Sequence, residues 1–320
     1  MNEVICIGMA VTNILAKGVK QIRFGGHTEF VESVSMAVGG DALTQAIVIS
    51  KLGHQVGLYS MVGMDLQGSY LLNTCKEQGI DVNNVIVSEL YPTSTSMVLV
   101  TEDGERSFIS HKGGTVDEFC LPESLLSRIE RDVKIVSIGS LFCSPKFDHQ
   151  IGKLLRTAKD AGALTIADMV PNRGVIGLKE VKSALPFLDY IVPSKEEALL
   201  YTEKGNVKDA AEMLMDYGVS NVIVKQGADG AFVLTSESSY TVPVFPSNVV
   251  DTTGAGDNFM AGFISGLLRN YKLNDCLELA SATASVSIGS IGATTGVNTF
   301  EQIQEVMREK GSYYRGKIHY

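Results

Sequence analysis

A glycine-rich turn followed by an aspartate, Gly254-Ala255-Gly256-Asp257, is the stretch of this chain best suited to chemistry. Two valines before it are typical of the end of a buried strand, and the apolar residues after it recur at helical spacing: Phe259, Phe263 and Leu267. The first N–H groups of such a helix lack partners and lie at the positive end of its dipole, so they can bind a phosphate or another anion. Asp257 would repel that anion unless it takes a proton from an incoming hydroxyl group. The stretch therefore indicates an anion site with a general base, and the alternative is a simple helix cap.

The composition limits the classes of ligand that this chain can hold. Its 320 residues are 45% hydrophobic, enough to bury the core of one large α/β domain or of one domain with a small appendage. The net charge of −9 argues against a broad basic surface for nucleic acid or for an anionic membrane, so an anionic ligand must be bound locally. The five cysteines show no metal-binding spacing, and the N-terminus lacks the charged region of a signal peptide. We expect a cytoplasmic protein with no nucleic-acid or membrane partner.

From residue 134 onward, segments typical of strands alternate with segments typical of helices, one of them a helix over 148–161. This alternation predicts a mainly parallel sheet with helices on both faces. Residues 13–38 and 95–110 instead show the two-residue alternation of strands with one solvent-exposed face, and Asp103-Gly104 predicts a hairpin turn between two of them. Two strand-rich segments thus interrupt an α/β core.

Ligands of open α/β sheets bind beyond the carboxyl ends of the strands. Four polar segments of this chain follow predicted strands and should meet at one edge of the sheet: Asp168, 193–197, 225–230 and 251–257. The turn that carries Asp257 belongs to the last of them. We therefore expect its neighbours at that edge to contribute to the same site.

The nine residues Asp251-Thr252-Thr253-Gly254-Ala255-Gly256-Asp257-Asn258-Phe259 resemble, without interruption, the C-terminal signature of the ribokinase-like (PfkB) carbohydrate kinases. Gly39-Gly40-Asp41-Ala42-Leu43-Thr44-Gln45-Ala46 resembles the N-terminal signature of that family, and the resemblance extends from Gly8 to about Gly296. It implies a ribokinase-like fold, in which a mainly parallel sheet flanked by helices carries a small β-sheet lid. The implied division places the α/β core in residues 1–12, 39–91 and 112–320 and the lid in residues 13–38 and 92–111.

The resemblance implies which residues hold the acceptor sugar: Asn13, Gly39, Gly40, Asp41, Thr44 and Asp257. Asn13 stands where the family carries an aspartate, and Thr44 stands where it carries an asparagine. The amide of Asn13 can still exchange hydrogen bonds with hydroxyl groups, but it carries no charge. We therefore expect a sugar preference that differs from the usual one.

On the other side of Asp257, the resemblance implies a site for ATP and Mg²⁺. The residues it assigns to the nucleotide are Ser194, Lys225, Gly227, Gly230, Thr253 and Gly256. Glu197 would organise water molecules around Mg²⁺, although taken alone it is explained as a carboxylate favoured by a helix dipole. In many relatives the region of Asp251 and Thr253, with the loop 292–296, holds a monovalent cation, so K⁺ is a further expected ligand.

These assignments predict an ATP-dependent kinase for a small carbohydrate. Asp257 would take the proton of the acceptor hydroxyl, and the N–H groups of Gly254, Ala255 and Gly256 would stabilise the transferred phosphoryl group. The lid would exclude water, and its exposed strands predict a homodimer through the lids. Two alternatives stay open, a non-catalytic sugar sensor on the same fold and a nucleoside kinase with an aromatic platform in the lid, for which the candidates are Phe24, Phe30 and Phe108.

The end of the chain contains a second glycine-rich segment, residues 311–318, whose spacing matches a P-loop up to Lys317. Ile318 cannot bind Mg²⁺, and no predicted strand precedes the segment. We predict that the last helix covers 300–310 and that a solvated tail follows it.

Overall fold

The computed structural model describes residues 2–22, 25–26, 28–102, 105–111, 113–171 and 177–318. Within them the largest element is an eight-stranded sheet. In spatial order its strands are β14 (Ser239–Val242), β13 (Ala231–Leu234), β12 (Asn221–Lys225), β11 (Tyr190–Ile191), β10 (Leu164–Met169), β9 (Ile135–Leu141), β1 (Val4–Ile7) and β4 (Val56–Tyr59). Its neighbouring strands are parallel except in two pairs, β12 with β13 and β13 with β14, which are antiparallel. This order brings three of the four predicted polar segments to one edge, because β10, β11 and β12 lie side by side and point the same way. The fourth segment, 251–257, follows no strand.

Helices cover both faces of this sheet. They are α1 (Asp41–Lys51), α2 (Leu66–Glu77), α3 (Thr115–Glu118), α4 (Glu123–Leu126), α5 (Pro145–Asp148), α6 (Ile151–Asp160), α7 (Leu178–Val181), α8 (Lys195–Thr202), α9 (Val207–Asp216), α10 (Ala255–Leu268), α11 (Leu273–Ser287) and α12 (Phe300–Arg315), with 3₁₀ turns at Leu185–Phe187 and Gly227–Asp229. In the described ranges none of these helices has both the length and the apolar character to span a bilayer.

Strand β1 shows why the sheet has a core on each face. Val4 and Cys6 belong to one hydrophobic cluster, while Ile5 and Ile7 belong to the other. Alternate residues of a strand point to opposite faces, so a strand covered by helices on both sides is apolar at every position. The uninterrupted apolar run at the start of the sequence is therefore the mark of a central strand.

Helices α10 and α11 are in close contact at two glycines of α10. A Cβ atom at Gly262 would lie 2.6 Å from Thr283 Oγ1, and one at Gly266 would lie 2.8 Å from Cys276 Cα. The two helix backbones can approach this closely only because both positions lack a side chain. The pair forms one side of the region beyond β12.

A second sheet of four strands stands apart from the main one, in the order β3 (Ser33–Gly39), β2 (Val11–Lys17), β7 (Thr95–Val100) and β8 (Arg106–Ser110). A two-stranded sheet of β5 (Met61–Gly63) and β6 (Ile86–Ser88) completes the described strands. The four-stranded sheet exposes an apolar surface on one face, with Val34, Met36, Met97 and Ile109, and the side chain of Phe108 on its other face. A large mixed sheet flanked by helices with a smaller sheet beside it confirms the predicted fold class. The Asp103-Gly104 turn lies outside the described residues.

Three sequence predictions differ from the structure. Val249 and Val250 do not end a buried strand, since they are 63% and 57% exposed and no strand of the described residues lies between Val242 and α10. The helix predicted over 148–161 begins only at Ile151, because the chain makes a tight turn after α5, in which the N–H group of Gln150 donates to Phe147 O at 2.7 Å. The Gln150 side chain bonds to the backbone of Leu121 at 2.8 and 2.9 Å. The solvated tail was wrong for residues 311–315, since α12 continues to Arg315. Tyr314 is fully buried and stacks on Phe245 with ring centroids 4.8 Å apart. One large aromatic side chain thus anchors a polar segment.

Candidate active site

The turn before α10 is shaped by Gly254, whose φ of +72° lies in the left-handed region. A Cβ atom here would lie 2.6 Å from that of Ala293, so a side chain would disturb both the turn and the neighbouring loop. The Asn258 amide donates to the carbonyl oxygens of Gly254 at 2.8 Å and of Ala293 at 2.7 Å. The N–H group of Ala255 donates to Thr252 O at 3.2 Å within the turn. The start of α10 is thus fixed by its own loop and by the loop at 293.

Asp257 lies in the first turn of α10, where Gly254 rather than an aspartate is the N-cap residue. Its Oδ1 accepts a hydrogen bond from Gln45 Nε2 at 3.2 Å, and Gln45 Oε1 accepts one from Ser137 Oγ at 3.1 Å. Burial, with the charges of Asp41 and Asp168 nearby, raises the pKa of Asp257 well above its usual value. A carboxylate with a raised pKa holds a proton more strongly and is therefore a better base.

Helix α1 begins at the same site with a similar turn. Gly40 has φ of +90°, and a Cβ there would lie 2.5 Å from Met9 O. Asp41 follows it and accepts a hydrogen bond from Ser140 Oγ at 3.0 Å, while burial raises the pKa of Asp41 to about 6. Asn13 is next to this turn, since a Cβ at Gly39 would lie 2.4 Å from its Nδ2. The first turns of α1 and α10 therefore bring two carboxylates close together.

A cleft of about 820 Å³ opens beside these two helix starts. Its polar walls include Asp41, Asp168, Glu196, Glu197, Lys225 and Asp257. Its apolar walls include Val244, Phe245, Pro246, Val249 and Ile288. The cleft therefore suits a ligand that has both charged and apolar parts.

Lys225, at the end of β12, contacts Asp168 at 2.5 Å. Burial alone would lower the pKa of Lys225, but the charges of Asp168 and Glu197 outweigh it and raise that pKa, so the ammonium group stays charged. Burial raises the pKa of Asp168 to about 7, although the Lys225 charge opposes the shift. A Cβ at Gly256 would lie 3.2 Å from Lys225 Nζ. The cation is thus held directly beside the start of α10.

The start of α8 is fixed by a reciprocal pair of bonds. Ser194 Oγ accepts from the N–H of Glu197 at 3.2 Å, and Glu197 Oε2 accepts from the N–H of Ser194 at 2.7 Å. Ser194 also forms an isolated parallel bridge with Lys225. Glu197 is therefore a helix cap, as its position alone suggested, and it lines the cleft as well.

The sequence profile of the pfkB family carbohydrate kinases matches residues 1–299. The chain belongs to this family. It is 25% identical over 290 residues to the ribokinase of Haemophilus influenzae, covering 88% of this chain and 91% of that protein. It is 31% identical over 265 residues to the ATP-dependent ribose-1-phosphate kinase of Halopiger xanaduensis, covering 82% of this chain and 84% of that protein. The structure of Arabidopsis thaliana ribokinase complexed with ribose and ATP shares its fold, with a TM-score of 0.82 and 22% identity. The match covers 96% of this chain and 99% of that one.

In this carbohydrate kinase the cleft brings together most of the residues singled out in the sequence. They are Asp41, Ser194, Glu197, Lys225, Gly227, Gly230, Gly254, Ala255, Gly256 and Asp257. The remaining candidates are not among the residues that line the cleft: Asn13, Gly39, Gly40, Thr44, Asp251 and Thr253. Thr44 is only 1% exposed, and its N–H group makes the first backbone bond of α1, to Gly40 O at 2.9 Å.

Sequence reasoning missed two side chains of this site and gave a third no role. Gln45 bonds to Asp257, Arg106 forms an ion pair with Asp251, and Asp168 forms one with Lys225. Only Gln45 had a usable signal, since residues four apart on a helix share a face and Asp41 already pointed to the site.

Proposed function

We propose that this carbohydrate kinase transfers the γ-phosphoryl group of ATP to a hydroxyl of a small sugar, with Asp257 as the general base. The observation that carries the proposal is the placement of Asp257. It lies at the start of α10, next to the charged Lys225 and in a cleft large enough for a nucleotide. A base, an anion site and a fixed cation together are what phosphoryl transfer requires.

The sugar would lie where α1 and the smaller sheet meet. Asp41 and Asn13 would exchange hydrogen bonds with its hydroxyl groups, and the close turn at Gly39 and Gly40 would let the backbone approach it. Thr44 would contribute by holding this turn in place. One hydroxyl would then face Asp257, which takes its proton as the oxygen attacks the phosphorus atom.

ATP would occupy the rest of the cleft. Its base would lie against the apolar walls, and its phosphates would lie toward Lys225 and the start of α10. Ser194, the turn from Gly227 to Gly230, and Thr253 with Gly256 would border it. The N–H groups at Gly254, Ala255 and Gly256 would stabilise charge that develops on the transferred group, with Ala255 exchanging its bond to Thr252 for one to the phosphate.

The carboxylate of Glu197 fits a Mg²⁺ ion that retains most of its water. This side chain lines the cleft, and one of its oxygens is engaged by the Ser194 N–H group. Mg²⁺ takes few protein ligands and keeps water as the others. When bound, it would neutralise charge on the phosphates.

The smaller sheet would act as a lid formed by residues 13–38 and 92–111. Closure would exclude water, which otherwise competes as the phosphoryl acceptor. Its apolar exposed surface also supports the proposal of a homodimer through the lids. Light scattering at micromolar concentrations should give the mass of a dimer, and a mass of one chain would contradict this part. We also place the protein in the cytoplasm.

A nucleoside kinase is a second candidate, favoured by two aromatic side chains near the smaller sheet. Phe30 is 91% exposed and Phe108 is 62% exposed, so either could pack against a base after closure. Phe24, the third candidate, lies outside the described residues. A nucleoside would occupy the same position as the sugar and would need the same base and anion site.

The test is an assay of ADP release with a panel of pentoses, hexoses, sugar phosphates and nucleosides. We include sugar phosphates because one relative is a ribose-1-phosphate kinase. Turnover with a free sugar or a sugar phosphate supports the proposal, and turnover only with nucleosides supports the second candidate. Sugar binding without ADP release would indicate a sensor and would contradict both.

A further inference from the structure

Arg106, the first residue of β8, extends from the smaller sheet to the loop before α10. There its guanidinium group forms an ion pair with Oδ1 of Asp251. The Asp251 side chain is 2% exposed and that of Arg106 is 26% exposed, so the pair lies largely out of solvent. A contact of this kind joins the lid to the segment that fixes the anion site.

Asp251 holds two loops together. Its Oδ1 also accepts from the N–H of Thr253 at 2.7 Å, and its Oδ2 accepts from the N–H of Gly292 at 2.8 Å. Burial would raise the pKa of Asp251, but the bonds from Gly292, Thr253 and Arg106 outweigh it and lower that pKa, so the carboxylate is ionised. A buried carboxylate needs a compensating positive charge, and here the guanidinium group of Arg106 provides it.

The family resemblance predicted a free monovalent cation at Asp251 and Thr253. The arrangement of this chain fits such an ion poorly. Both oxygens of Asp251 already accept hydrogen bonds, and a K⁺ ion bound to Oδ1 would lie beside the guanidinium group, which repels it. The position of the expected cation is thus next to a charge that belongs to the protein.

We propose that Arg106 replaces the monovalent cation, so that the anion site of this kinase is held in place without K⁺. Arg106 is a positioning residue, because it acts through Asp251 and the turn from Thr253 to Asp257 and not on the substrate. Since Arg106 belongs to the lid, its guanidinium group reaches Asp251 only when β8 packs against the core. The inference deepens the proposed function and rests on the anion site assigned there.

The experiment compares the parent protein, Arg106→Gln and Arg106→Lys in potassium chloride and in tetramethylammonium chloride at equal ionic strength. Thermal melting of each protein and ADP release with the best acceptor are measured in both salts. Lys17→Gln is the matched control, because it removes another cation of the smaller sheet whose partner, Glu32, is exposed.

We expect the parent, Arg106→Lys and Lys17→Gln to give the same melting temperature and turnover in both salts. Arg106→Gln leaves the buried Asp251 charge unpaired and makes room for K⁺. In tetramethylammonium its turnover should fall by roughly 10²-fold. Potassium should then raise that turnover by about tenfold and raise the melting temperature of this variant alone.

Three results would overturn the inference. They are a parent that potassium activates or stabilises, an Arg106→Gln variant with parental turnover in tetramethylammonium, and an Arg106→Gln variant that is impaired but does not respond to potassium. The last would indicate that Arg106 binds substrate directly or only supports the fold. If none of the acceptors in the panel makes the parent release ADP, the proposed function fails. The melting measurements then still decide the role of Arg106.

Discussion

Helices α1 and α10 each start from a positive-φ glycine, Gly40 or Gly254, and each carries an aspartate of its first turn into the same cleft. Asp41 receives a bond from Ser140, and its pKa rises only to about 6. For Asp257, the charges of Asp41 and Asp168 add to the effect of burial, and its pKa rises well above the usual value. The same local motif thus yields two carboxylates of different basicity because their neighbours differ. We infer that Asp257 is the base and that Asp41 binds the sugar.

The largest expected effect is that of Asp257→Asn. The amide cannot take the proton of the acceptor, so kcat should fall by roughly 10²- to 10⁴-fold. Removing a charge that Asp41 and Asp168 repel should leave stability at neutral pH unchanged or raise it by about 1 kcal/mol. Steady-state turnover paired with a thermal melt checks both, and a folded variant with near-parental kcat would end the assignment of Asp257 as base.

The corresponding change at the other helix, Asp41→Asn, should act on binding. Asparagine keeps a hydrogen bond to the sugar but loses the charge that strengthens it, so KM for the acceptor should rise about 10- to 100-fold. We expect kcat to stay within about threefold of the parent value. If kcat fell as steeply as in Asp257→Asn, the two carboxylates would share one role and the comparison would fail.

Gln45→Met should change the pH dependence of the reaction. The Gln45 amide donates to Asp257 and favours its charged form, so its removal raises the pKa of Asp257 further. Turnover requires ionised Asp257, so the acidic limb of the kcat/KM profile should move to higher pH, by up to about one unit. Ser137→Ala is the control, because it removes only the hydrogen bond from Ser137 to Gln45 and leaves the bond from Gln45 to Asp257. Equal profiles for the parent and Gln45→Met would show that this bond does not tune the base.

The smallest expected effect is that of Asn13→Asp, which adds a charge beside the start of α1. An aspartate accepts stronger hydrogen bonds from a pair of hydroxyl groups, so the relative kcat/KM values of the acceptors should change several-fold. KM for ATP should stay at the parental value. The acceptor panel measures this directly, and an unchanged ranking would mean that Asn13 does not contact the sugar.

The elements of this fold were largely predictable, because helical and strand periodicities are local properties of the chain. The site was predictable only in part. Gln45 bonds to a residue 212 positions away, and Lys225 pairs with Asp168 because β12 and β10 both flank β11, an order that periodicity does not reveal. The burial of Tyr314 was missed for the same reason, since its partner Phe245 lies on a distant part of the chain.

The arrangement at Arg106 was beyond sequence reasoning for a further reason. An arginine in a strand with one exposed face is normally a solvated side chain, and only the folded structure places it against the buried Asp251. The resemblance assigned Asp251 to a monovalent cation, and a resemblance cannot indicate that Asp251 instead forms an ion pair with Arg106.

The missing side chains at Gly262 and Gly266 set the distance between α10 and α11, and α11 contributes Ser281, Ala284 and Ser285 to the walls of the cleft. The width of this part of the cleft is therefore determined inside the core, at two positions that do not line it. A substitution at either glycine should push α11 away from α10 and move that wall outward. In the mode of ATP binding proposed above, this wall borders the nucleotide, so variants with a new phosphoryl donor should be sought at these buried positions as well as among the cleft residues.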